Sequence, residues 1–189
     1  LMESGIQVAA FVMPGLAGGD RRAAQRHVTR TVSVLNEITP TEVRVRSLAI
    51  LEGTPLYEKW KSGEFAAPTD DQMIDELGML AQGLTFGCTF ETMQLTNIFN
   101  VKGKLSKVKD PLLEKIHRYR EASPLERASF LMDRHLNDGY LEFVEAWGLL
   151  DKRLGEAIED ALISLEKASP DAVEKVDRAI FAIRSKGIP

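Results

Sequence analysis

Cysteine is nearly absent from this chain of 189 residues, where Cys88 stands alone. It cannot close a disulfide within the chain, and by itself it cannot build a structural zinc or iron–sulfur site. Such sparing use of cysteine fits a reducing, cytoplasmic location. Histidine is almost as scarce: His27, His117 and His135 lie far apart and form no H-E-x-x-H or similar ligand pair, which argues against a metal site. Long apolar runs are missing too. Stretches such as Val8 to Leu16 fall well short of the roughly 18 residues that a membrane span needs, so no membrane is expected. No charged start followed by an apolar core and a small-residue cleavage site opens the chain, and no secretory signal is read. Nor is there a surplus of positive charge. Twenty-four basic against 28 acidic side chains leave a formal charge of −4, which gives no chain-wide footprint for a phosphate backbone, so nucleic acid is not expected on bulk charge.

What remains is an ordinary globular composition, 44% hydrophobic and 28% charged, in which the first part alternates strand and helix patterns. Leu1 to Gly5 reads as the last turn of a helix closed by a glycine. The apolar run Ile6 to Met13, stopped at Pro14-Gly15, predicts a parallel strand buried on both faces. Asp20 is placed to cap a helix carrying Val28, Val32 and Leu35 up to Pro40. A second strand follows over Glu42 to Leu51, then a helix capped by Thr69 or Asp70 with Met73, Leu77 and Leu80, then a third strand over Leu84 to Phe90. Strand starts at positions 6, 42 and 84 leave room for right-handed crossovers in a parallel sheet. So few strands cannot close a barrel, and as an open sheet they leave an edge exposed beside Val8 and Phe11.

Asn97 to Lys109 reads as a loop, and beyond it the pattern is helical: Asp110 to Arg120, Pro124 to Asn137, Tyr140 to Leu150, Lys152 to Ala168 and Pro170 to Lys186. The expected class is therefore α/β, a partial barrel of parallel strands over residues 1–106, followed by an all-helical extension over 107–189.

Two stretches invite a functional reading. Gly15-Leu16-Ala17-Gly18-Gly19 follows a strand and precedes a helix, where a backbone can approach a ligand, but it is neither a Walker loop nor G-x-G-x-x-G. A turn that simply needs positive φ is the preferred reading of this stretch. In the second strand a period of two sets Val43, Val45 and Ala49 against Arg44, Arg46, Leu48 and Ile50. If the aliphatic side meets the helices, both arginines face the opposite surface. There each must meet either a carboxylate or an anionic ligand.

The segments IQVAAFVMPGLAGG, HVTRTVSVLNEITPTEVRVRSLAILEGTPLYEKWKSGEF and TDDQMIDELGMLAQGL, taken together, resemble the second half of the radical S-adenosylmethionine domain of bacterial iron–sulfur oxidoreductases. That resemblance covers roughly Met2 to Leu84. It implies a half of a TIM-like barrel that binds S-adenosylmethionine and a [4Fe-4S] cluster in the parent enzyme, with Met13, Pro14, Gly15, Arg46 and Leu48 on the cofactor side. The C-x3-C-x2-C motif that holds the cluster in that family is not present here, so the resemblance implies a C-terminal fragment that is inactive alone and partners a missing N-terminal half. The alternatives are a non-catalytic interaction module, or an unrelated α/β enzyme using Arg44 or Arg46 for an anionic substrate.

Overall fold

The computed structural model describes residues 4–137 and 140–187. The helix end expected at Leu1 to Gly5 lies mostly outside the described residues. Two compact units are present, one built from Leu1–Leu48 and Lys59–Arg118, the other from Ala49–Glu58 and Tyr119–Pro189.

The first unit holds a sheet of β1 (Ala9–Val12), β2 (Glu42–Val45), β3 (Thr89–Glu91) and β4 (Lys102–Lys104), in that spatial order. β1, β2 and β3 run parallel, while β4 is antiparallel to β3. Helix α1 (Arg21–Ile38) connects β1 to β2; α2 (Pro55–Lys61) and α3 (Asp70–Gly83) lie between β2 and β3; α4 (Leu105–Glu121) follows β4. The sheet is thus mixed and does not close, which departs from the all-parallel half barrel expected. β1 forms one edge, as the strand count requires.

Register decides what each face of the sheet carries. Phe11, Arg44, Glu91 and Lys102 form one row across the strands, and Ala9, Glu42, Thr89 and Lys104 form the next row on the same face. Val43, Val45 and Phe90 point the other way and are fully buried. They join Val28 and Leu35 of α1 and Met73, Leu77 and Leu80 of α3 in the core. Each such side chain contributes about 1.5–3 kcal/mol on burial, so these pin the strand register. Within this unit α1 and α3 share the core with that face, while the opposite face carries Phe11, Arg44, Glu91 and Lys102.

Helix starts follow local chemistry. Asp20 Oδ1 accepts the Ala23 N–H at 2.7 Å and begins α1. α3 begins with a capping box, in which Thr69 Oγ1 accepts the Gln72 N–H at 3.2 Å and Gln72 Oε1 accepts the Thr69 N–H at 2.9 Å.

The second unit contains α5 (Pro124–Asn137), α6 (Tyr140–Ala146), α7 (Lys152–Glu166) and α8 (Ala172–Ser185). α8 packs on α5 and α7 through Ala172, Val176, Ala179, Ile180 and Ile183, all buried and recurring at helical spacing. Inside it, Arg184 Nε donates to His135 Nε2 at 2.9 Å. Since an arginine nitrogen only donates, His135 is held as the neutral tautomer whose Nδ1–H reaches the Leu131 carbonyl at 2.7 Å. Burial pushes the Tyr140 hydroxyl up to about 12. The Ala49–Glu58 segment joins this unit through the Glu52 N–H, which donates to the Ser185 carbonyl at 2.8 Å. Among the described residues no helix is long and apolar enough to cross a membrane.

Candidate functional site

The face of the sheet opposite the core gathers an aromatic ring and several charged side chains. Phe11 is 56% exposed, and its ring lies under two guanidinium groups, with Arg44 Cζ 5.6 Å and Arg46 Cζ 5.0 Å from the ring centroid. Such contacts are cation–π in geometry. Arg44 also bonds Glu42 at 2.9 Å, and the charge of that neighbour raises the arginine's pKa further. Lys102 pairs with Glu91 at 2.7 Å and holds its carboxyl below the usual range. Arg46 and Lys104 have no carboxylate partner among the described residues. Four cations against two carboxylates leave this face locally positive although the chain as a whole is acidic. Of the two outcomes left open for the arginines, Arg44 meets a carboxylate, Glu42, while Arg46 lies against the Phe11 ring.

A side chain that the sequence did not single out sets where Arg46 sits. Asn97 is buried, and its Nδ2 donates to the carbonyls of Val45 at 2.7 Å and Thr92 at 2.8 Å. Its Oδ1 accepts from Ser47 N–H at 2.8 Å and from Ser47 Oγ at 2.9 Å. β3 ends at Glu91, so the Asn97 amide takes the place of the next peptide of that strand and continues the ladder along β2. On the other side, Arg46 N–H and Leu48 N–H bond the carbonyls of Val12 and Pro14 at 2.9 Å each. Arg46 is therefore held in extended backbone beyond the regular strand.

At the C-terminal end of β1 the chain turns through Pro14 and Gly15, both buried. Gly15 has φ of 87°, and a Cβ there would lie 2.9 Å from Pro68 Cγ. Its N–H donates to Glu76 Oε1 at 3.0 Å. Glu76, 2% exposed on α3, also faces His27 Nδ1 at 3.4 Å across to α1. One turn earlier on α3, Gln72 Nε2 reaches the Gly19 carbonyl at 2.8 Å, so the first two turns of this helix fix the loop after β1. Of the five residues expected on a cofactor side, Met13 and Arg46 are accessible, whereas Pro14, Gly15 and Leu48 are buried. The Gly15 and Leu48 N–H groups are already bonded within the unit.

Burial pushes the Glu76 carboxyl above its usual range, against the opposing pull of the Gly15 N–H and His27. The folded state then holds this proton more tightly than the unfolded state. Its stabilising contribution is complete below about pH 4.3, the ordinary glutamate value, and is lost as pH rises through the raised folded value. Glu76→Gln keeps the Oε1 acceptor and removes the titration. A urea-denaturation series over pH should show a shallower loss of stability with rising pH in the variant; parallel curves would contradict this.

Along the open edge of β1, a groove of about 560 Å³ separates the strand from α1, with Phe11 on one wall and Arg26, His27 and Arg30 on the other. Among the described residues no group of three or more histidines, cysteines or acids is gathered for a metal, and Cys88 is buried, its thiol pushed up by desolvation. The donor set does not fit an iron–sulfur cluster.

Comparison with known proteins adds two relatives. The chain is 29% identical over 75 residues to the tRNA uridine(34) acetyltransferase of Methanocaldococcus jannaschii, a match covering 40% of this chain and 14% of that protein. The protein of the same name from Methanocaldococcus infernus matches to the same extent. The match thus spans about one seventh of the length of these relatives. No family model matches, and no solved structure does. These findings correct the family reading made from the motifs. The matched proteins are named for acetyl transfer to tRNA, so the chain is not assigned as a fragment of a radical S-adenosylmethionine iron–sulfur oxidoreductase.

Proposed function

We propose that this chain is part of a tRNA-modifying enzyme and that the sheet face carrying Phe11, Arg44 and Arg46 contacts the RNA. The observation that carries this reading is Phe11, an exposed aromatic ring flanked by Arg44 and Arg46. The similarity to tRNA acetyltransferases supports it independently. A sheet that offers an aromatic ring among cations suits an unstacked RNA base, which lies on the ring while its phosphates meet the charges. A chain-wide charge of −4 argued against nucleic acid, yet recognition depends on local charge, and this face carries an excess of cations.

Base stacking on one aromatic ring is worth about 1–3 kcal/mol by alanine substitution. Phe11→Ala is therefore expected to weaken binding of a fluorescein-labelled tRNA transcript by about tenfold or more, read as anisotropy. Arg46→Gln should weaken it less and reduce its dependence on salt. Wild-type affinity in both variants would remove the proposal.

A further inference from the structure

We infer that the exposed flank of α1 binds the sugar–phosphate backbone of RNA, an inference that rests on the tRNA reading above and adds its own residues. Arg22, Arg26 and Arg30 recur at intervals of four, so they share one side of the helix. Successive members are separated by about 6 Å of helix rise, of the order of the separation between neighbouring phosphates on a nucleic acid strand. All three are exposed, as is Arg21 beside them, and none of the four has an ion-pair partner among the described residues.

Helix stability does not account for this arrangement. Like charges four residues apart repel one another. Arg21 and Arg22 also sit in the first turn, against the positive end of the helix dipole, with no acidic residue in that turn. Asp20 spends Oδ1 on the Ala23 N–H, and Glu37 lies at the far end of the helix. An anionic partner relieves both sources of repulsion. Arg26 and Arg30 line the groove that Phe11 faces from the opposite wall. A strand with a base stacked on Phe11 would carry its neighbouring phosphates along the three arginines, where each guanidinium can hold a phosphate with two parallel bonds.

The test uses the 189-residue chain, a fluorescein-labelled tRNA transcript and anisotropy over a salt series, with a variant carrying Arg22→Gln, Arg26→Gln and Arg30→Gln. Each phosphate contact contributes about 0.7 to the slope of log affinity against log salt for single-stranded nucleic acid. The slope should fall by about 2 in the variant, with more than a tenfold loss of affinity at low salt. Arg26→Gln alone should lower the slope by about 0.7 and serves if the triple variant does not fold. Poly-L-glutamate at matched charge should not displace the RNA. A wild-type slope in the variants overturns the inference. So does displacement by poly-L-glutamate, which would assign the flank to an acidic protein. If Phe11→Ala weakens binding and the arginine variants do not, the inference about α1 falls while the sheet-face reading stands; if the unaltered chain binds no tRNA, both fall.

Discussion

Replacing Asn97 by alanine is expected to destabilise the first unit by about 3 kcal/mol. The amide donates to the carbonyls of Val45 and Thr92 and accepts from the Ser47 N–H and hydroxyl. Truncation leaves the Val45 carbonyl without this donor and the Ser47 N–H without this acceptor, each at a penalty of about 1–3 kcal/mol, partly offset where water enters the space, while the Thr92 carbonyl keeps the Gln94 N–H at 2.8 Å. Asn97→Asp distinguishes the donor half of this role from the acceptor half. It keeps an oxygen for Ser47 but turns a second oxygen toward the carbonyls, so it should be no more stable than the alanine variant. Chemical denaturation with both variants checks this, and a loss under about 1 kcal/mol in Asn97→Ala would show that the amide is not holding the end of β2.

Gly15→Ala is expected to lose about 2–5 kcal/mol, combining about 1–2 kcal/mol for left-handed backbone with overpacking of about 1–3 kcal/mol. The new Cβ would fall 2.9 Å from Pro68 Cγ, which a proline ring cannot vacate, and 3.0 Å from Met73 Sδ, which can move. Gly63 supplies the comparison. Its φ of 79° is similar, and nothing lies within 4 Å of a Cβ built there. Gly63→Ala should show the backbone effect alone, about 1–2 kcal/mol. Equal losses at the two glycines, measured as shifts of the thermal or urea midpoint, would contradict the close packing of the loop after β1 against α3.

Both residues illustrate what could be read without coordinates. Gly15 stood out because it ends an apolar run beside a proline, and its positive φ bears out the turn reading. The caps Asp20 and Thr69 were legible for the same reason: a short polar side chain before an apolar helical pattern has one good use. α5 was legible from Ser123-Pro124 at its start. Asn97 was not, because a buried asparagine acts through partners in another strand that no local pattern encodes.

The stretch read as a loop after Asn97 contains β4 and the first turns of α4. β4 is only Lys-Gly-Lys, with no alternation to read; it pairs with β3 between the Thr92 N–H to Val101 carbonyl and Leu105 N–H to Cys88 carbonyl bonds, with Glu91 opposite Lys102. The helix expected from Asp110 starts earlier, at Leu105, and Pro111 lies inside it. The expected strand over Leu84 to Phe90 is shifted to Thr89–Glu91, since Leu84 instead closes α3 with its N–H on the Leu80 carbonyl. In β2 the alternation correctly separated Val43 and Val45 from Arg44. It failed beyond Val45, where Leu48 and Ile50 are buried and the chain is no longer a regular strand. That Arg44 lies on the surface opposite the core followed from that alternation; the contact of Phe11 with two arginines required the register between strands.

Photocrosslinking tests the account most directly. A tRNA transcript carrying 4-thiouridine, irradiated with the protein and mapped by peptide mass, should attach to the β1 and β2 peptides that contain Phe11 and Arg44 to Arg46. Attachment confined to the helices beyond Tyr119, or none at all with tRNA in excess, would contradict an RNA-contacting role for the sheet.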